Sequence, residues 1–219
     1  MTSTKTSLLW YHRVAAFLHF CLFVGITVWA TQIDDKLWRN NFPVIYWCTV
    51  FELVTVIAEV YASFDRFLSA RLYANACIER WIEYSITAGI MMVAILQLSN
   101  VQHEGILAVG AICTILTMFV GYQVEIDWRT WLFVIGCIVM AIPWIFVLYN
   151  LGHYSPPHFV YWIVGSMIVF FGLFAVVAYV GRYDATYHDR DKWYTVLSFT
   201  SKIALCLQIG FGASEDREA

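Results

Sequence analysis

Long apolar runs broken by short polar segments dominate this chain. A helix crossing a bilayer core takes roughly 20 apolar residues. Seven stretches meet that length: residues 14–31, 42–64, 76–98, 105–124, 130–151, 159–180 and 193–211. The breaks between them are Asp34-Asp35-Lys36, Asp65-Arg66, Gln102-His103-Glu104, Glu125-Ile126-Asp127, Tyr154-Ser155-Pro156-Pro157 and the polar segment 183–192. They are short, so helices adjacent in sequence are expected to be antiparallel neighbours in one bundle. No internal repeat or low-complexity tract divides the chain, and it reads as one domain over residues 1–219. The fold class expected is all-α, a bundle of seven transmembrane helices. The tail Glu215-Asp216-Arg217-Glu218 reads as a frayed end.

Composition agrees with this pattern. The chain is 61% hydrophobic and 13% charged. A soluble domain carries about 25% charged residues, so the surplus apolar surface is expected to face lipid. A formal charge of -3 gives no reason to expect a nucleic-acid partner. Tryptophans at segment ends, such as Trp38, Trp81, Trp128 and Trp193, suit an interfacial belt. The six cysteines are scattered through apolar stretches and form neither a disulfide framework nor a zinc spacing. The first run is long enough to span and no small-residue cleavage site follows it, so insertion is expected to use that helix itself.

Lysine and arginine set the direction of insertion. Nine fall on the side of the N terminus (Lys5, Arg13, Arg66, Arg71, Arg80, Arg129, Arg182, Arg190 and Lys192) and three opposite (Lys36, Arg39 and Arg217). The N terminus is therefore expected in the cytoplasm and the C terminus outside.

The remaining cation, Lys202, sits inside the last run. An amine at bilayer depth costs several kcal/mol by most estimates, so such a residue is by default a functional-site candidate. It can be neutral, paired with a buried acid, or bound covalently to an aldehyde as a Schiff base. A buried cation needs an anion to keep its proton, and Glu83, one turn into the third span, is the best candidate. The alternative is an interfacial carboxylate pairing with Arg80. Thr87 lies one turn further along the same helix face as Glu83, and Ser198 one turn before Lys202. Glu52 and Glu59 share a face of the second helix and read either as a proton relay or as protonated structural acids. His19 reads as a proton acceptor or as a satisfied core histidine. Pro143, before Trp144, is expected to kink the fifth helix, either widening a pocket or merely shaping the bundle.

Several local words carry a resemblance. Arg80-Trp81-Ile82-Glu83-Tyr84-Ser85 looks like the third-helix motif of the heliorhodopsins, and Leu197-Ser198-Phe199-Thr200-Ser201-Lys202 is similar to their seventh-helix lysine motif. Arg13-Val14-Ala15-Ala16-Phe17-Leu18-His19, Gly121 through Glu125, Pro143-Trp144 and Pro157-His158-Phe159-Val160-Tyr161 resemble family segments in other helices. The resemblance covers nearly the whole chain and implies a rhodopsin-like bundle with a cytoplasmic N terminus. It also implies all-trans retinal bound to Lys202 as a protonated Schiff base, with Glu83 as counterion and Ser198 and Thr87 beside it. Pro143, Trp144 and Phe171 would then belong to the chromophore pocket, and His19, with Glu59 and Glu52, to the proton-accepting cluster. A homodimer is expected by the same analogy. The chain departs from the family where Glu59 replaces a histidine, where Thr114 and Gly172 replace asparagines, and where Leu207 replaces a pocket tryptophan. Ordinary microbial pumps carry an acid four residues before the lysine and a donor carboxylate eleven after the counterion; Ser198 and Ala94 stand there.

Three functions compete. The first is a light sensor, in which photoisomerisation and proton transfer drive a signal to an unknown partner. The second is a light-gated proton or ion conductor using Glu52, Glu59 and Glu83. The third is a retinal-free transporter or receptor in which Lys202 and Glu83 form a plain ion pair. No nucleophile–base set, phosphate loop or metal spacing supports an enzyme.

Overall fold

The computed structural model describes residues 2–32, 38–39, 42–64, 77–182 and 187–215. Their elements run α1 (Thr2–Gln32), β1 (Trp38–Arg39), β2 (Phe42–Pro43), α2 (Val44–Ala62), α3 (Ile78–Leu98), α4 (Glu104–Ile126), α5 (Thr130–Tyr154), α6 (His158–Val180) and α7 (Tyr187–Glu215). Seven of these helices are long and apolar enough to cross a membrane. In lipid every backbone polar group must be bonded within its own segment, and a continuous helix achieves this.

The bundle is built from neighbours in sequence. Helix α1 packs on α2, α2 on α3, α3 on α4 and α4 on α5, while α7 packs on α6, α1 and α2. Helices α5 and α6 meet along little of their length. Helix α3 is the most enclosed of the seven. The core joins Ile26, Phe51, Met92, Ile95, Ile163, Met167, Leu205 and Ile209. The outer faces are also apolar: Phe17, Ile57, Ile138, Ile145 and Trp162 all project outward. Such a surface is stable only against hydrocarbon, in keeping with the hydropathy reading.

Short turns hold the helices together. Between α3 and α4 the chain reverses through Asn100, at φ 67°, a conformation asparagine tolerates better than most residues. The His103 ring then accepts from the Gly105 amide at 3.2 Å and caps α4. At Gly121 of α4 the Trp81 ring of α3 lies so close that any Cβ would fall inside it. Gly210 of α7 meets Trp29 of α1 in the same way.

The helices extend beyond the apolar runs. Helix α1 starts twelve residues before the run that begins at Val14, and α7 starts at Tyr187 rather than near Trp193. The added turns carry His12 and Asp191, which are paired with other helices, so packing rather than hydropathy sets these ends. The small antiparallel β1–β2 pair, with Trp38 opposite Pro43, lies where the sequence reading had begun the second span. Arg80 is no loop cation: it lies in α3, buried and paired, and removing it from the loop count leaves the imbalance in the same direction. The polar breaks Asp34-Asp35-Lys36 and Asp65-Arg66, and tail residues Asp216, Arg217 and Glu218, lie outside the described residues.

Candidate functional site

Lys202 of α7 is 2% exposed. Its Nζ donates to Glu83 Oε1 at 2.5 Å and to Thr55 Oγ1 at 2.6 Å. The Thr55 hydroxyl lies 2.9 Å from the same carboxylate oxygen, and Thr87 donates to it at 3.2 Å. Three helices thus converge on one oxygen: α2 brings Thr55, α3 brings Glu83 and Thr87, and α7 brings the amine. Taking a lone charge out of water costs several kcal/mol, which a close pair with added hydrogen bonds offsets. The expected pairing of Lys202 with Glu83 is present, and the alternative Glu83–Arg80 pair is not. The predicted helical neighbour Thr87 is also in place.

The amine borders a cavity of about 330 Å³. Its wall is mostly apolar: Met91, Met118, Met140, Trp144, Phe171 and Phe174 line it, with Thr87, Ser198, Ser201 and Lys202 among the few polar groups. Trp144 and Phe171 meet edge to face with ring centroids 5.7 Å apart. Ligand pockets are typically about 300–1,000 Å³, largely apolar with a few placed polar groups. The lining therefore fits a long apolar aldehyde able to condense with the single amine. Ser198 is buried on this wall. Pro143 is buried inside α5 beside Trp144 but does not border the cavity. Gly172 does border it, with open space where a Cβ would stand. Thr114 is buried and donates to its own backbone at Gly110, 2.9 Å away. Leu207 is exposed on the outer face of α7, so that position contributes nothing to this pocket.

A family model described as Heliorhodopsin matches residues 27–214. The chain belongs to the heliorhodopsin family. A comparison with curated proteins gives no match. This heliorhodopsin is accordingly a retinal-binding, light-sensing rhodopsin, held in the membrane by its seven helices.

A second cavity, of about 250 Å³, lies on the other side of the ion pair. Glu83 borders it, as do Arg80, Glu59, Glu79, His12 and Asp191; Tyr84 borders both cavities. In this heliorhodopsin the Lys202–Glu83 pair is thus part of the partition: the amine opens on the apolar side and the carboxylate on the polar side. Around the second cavity runs an ionic chain. His12 lies 2.8 Å from Glu59 Oε2 through Nδ1 and 2.9 Å from Asp191 Oδ2 through Nε2. Arg80 donates to Asp191 and to Glu125, each at 2.6 Å, and the Trp81 indole donates to Glu125 at 2.5 Å. Five helices, α1, α2, α3, α4 and α7, are tied by it.

The candidate proton-transfer residues fall in two places. Glu59 belongs to the ionic chain. His19 and Glu52, both fully buried, pair with each other at 2.7 Å. Neither borders the two cavities that meet at the ion pair. His19 Nε2 and Glu52 Oε1 are buried without a hydrogen-bond partner. The sequence reading missed Thr55, His12, Asp191 and Glu125. Thr55 had a signal, since it lies on the Glu52/Glu59 face; the others resembled interfacial charges at span ends. Cys48 and Cys206, far apart in sequence, are both buried and free.

Proposed function

We propose that this heliorhodopsin is a light sensor in which Lys202 holds all-trans retinal as a Schiff base and Glu83 is its counterion. One observation carries the reading: the single amine on the apolar cavity is also the group hydrogen-bonded to a buried carboxylate. Bound retinal would supply light absorption and a change of shape on isomerisation. The protein supplies the rest. Glu83 places a negative charge 2.5 Å from the nitrogen. Thr87 donates to that carboxylate, and Thr55, which accepts from the same amine, stands 2.9 Å from it. The aromatic and methionine wall excludes water, which strengthens the pairing across it. Shape change in the cavity presses on α3, α4, α5 and α6, which supply most of its wall, and on α7 at Lys202. A bundle so displaced would present a new surface to a signalling partner. We assign it no enzymatic role, a cytoplasmic N terminus, and a homodimeric state by family analogy.

The test is a spectrum. Retinal added to the purified apoprotein should give a visible band that hydroxylamine bleaches and that Lys202→Ala never forms. A preparation that stays colourless would leave Lys202 and Glu83 as a plain ion pair.

A second reading is a light-gated proton conductor. Its support is the polar cavity that Glu83, Glu59 and Glu79 line. Glu59→Gln with Glu52→Gln should then abolish photocurrent in voltage-clamped cells. Current that persists would remove this reading, and absence of any wild-type current favours the sensor.

A further inference from the structure

A third cavity, of about 220 Å³, lies where α4 and α6 end and α7 begins. Neither Lys202 nor Glu83 borders it, so it is separate from the ion pair. Two guanidinium groups line it, those of Arg182 and Arg190, and packing holds each in place. Arg182 lies over aromatic rings, its Cζ 3.4 Å from the Tyr179 ring centroid and 4.8 Å from that of Trp128. A guanidinium carries its N–H donors in its own plane, so a ring over its face leaves the donor edges for the cavity. The stem of Arg190 passes over Gly181, where a Cβ would stand 2.8 Å from the arginine Cδ. One acid shares the wall, Glu125, and both of its oxygens are held: Oε1 by Arg80 at 2.6 Å and Oε2 by the Trp81 indole at 2.5 Å.

We propose that this cavity binds a phosphomonoester, its phosphate held between Arg182 and Arg190. The guanidinium fork matches phosphate and carboxylate alike, and charge decides between them. A phosphomonoester carries about −1.5 to −2 charges at pH 7, which two arginines balance, whereas a single carboxylate balances one. Glu125 does not cancel this attraction, because Arg80 already neutralises it. Arg190 Nε is 4.0 Å from Glu125 Oε1, beyond hydrogen-bond range, so that acid does not compete directly with an incoming oxygen for Nε. The cavity is larger than a bare phosphate fills, which leaves room for the first atoms of the group that bears it, with the Trp128 ring beside them. Tryptophan at a segment end marks headgroup depth. A phosphorylated lipid and a soluble phosphomonoester can both reach such a site, and the chemistry that recognises them is the same. Gly121, Val124 and Ala178 border both this cavity and the apolar one, so the occupant lies against the far end of the space that opens on Lys202. The proposal stands without retinal.

The retinal-free, full-length chain tests it with two matched probes. In neutral detergent, glycerol phosphate should raise the midpoint of thermal unfolding, as a ligand of the folded state does, while sodium chloride at equal ionic strength should not. In phosphatidylcholine nanodiscs, added phosphatidic acid presents the same phosphomonoester on a lipid and should have the same effect. A response to the soluble ester alone assigns a free ligand, and a response to the lipid alone assigns a headgroup; either supports the site. Arg182→Gln and Arg190→Gln should each weaken binding by about tenfold or more, the worth of a charge-assisted hydrogen bond. Arg182→Lys and Arg190→Lys keep the charge and lose the fork; they should bind less tightly than the wild type and remain informative if a glutamine variant does not fold. Arg129→Gln, whose side chain is exposed on the same rim, should leave binding unchanged. No response to either probe, undiminished binding in the Arg182 and Arg190 variants, or an equal loss in Arg129→Gln would overturn the proposal.

Discussion

At the scale of single residues, Thr55 has the most to explain. It accepts from the Lys202 ammonium and lies within donating distance of Glu83, so it completes a triangle that neither charge closes alone. Thr55→Val keeps the shape and deletes the hydroxyl. A buried polar group left one partner short costs about 1–3 kcal/mol, and thermal unfolding of the retinal-free protein should register that loss. Glu83→Gln is the harsher change, because it strands a cation in the core. Breaking a buried pair by removing one partner costs about 3–5 kcal/mol, and adding retinal to this variant should also shift the visible band to longer wavelength, since the ground-state cation loses its anion. Lys202 and Glu83 were legible in the sequence because charges are rare inside apolar runs. Thr55 was not, because a threonine in a membrane helix commonly bonds its own backbone, as Thr55 also does at Phe51. Leu207 shows the converse: the family resemblance implied a pocket position there, while the helix turns it outward.

At the scale of elements, the first turn of α3 is the busiest. Arg80 joins Asp191 of α7 to Glu125 of α4, and Trp81 joins Glu125 while its ring lies over Gly121. Arg80→Gln should therefore leave Asp191 to His12 alone and Glu125 to Trp81 and the more distant Arg190, and destabilise the fold by about 3 kcal/mol; Arg80→Gln combined with Asp191→Asn should recover part of that loss. Gly121→Ala inserts a methyl group where the indole now sits. Overpacking of this kind costs about 1–3 kcal/mol, and the Trp81 fluorescence should change with it. The positions of the helices were legible because lipid demands long apolar segments. Their ends were not. Residues 187–192 of α7 read as a polar loop, and only the pairing of Asp191 with Arg80 and His12, distant in sequence, explains why they are helical.

At the scale of the whole molecule, the bundle was legible from short breaks and long runs, and the loop cations carry the proposed direction of insertion. An affinity tag at the N terminus should be reached by protease only from the cytoplasmic side of sealed vesicles, and one at the C terminus only from outside. The division of the interior was hidden from the sequence. One cavity is apolar and the other polar, and the partition between them is assembled from α2, α3 and α7, whose contributing residues are scattered along the chain. A further property belongs to α7 itself. No proline or glycine interrupts residues 191–202, so the anchor of the ion pair and the anchor of the ionic chain ride on one stiff rod, about 16 Å apart at 1.5 Å per residue. A twist applied at the lysine reaches Asp191 as torque on the Arg80 guanidinium, and α7 thus works as a lever arm joining the middle of the bundle to its rim.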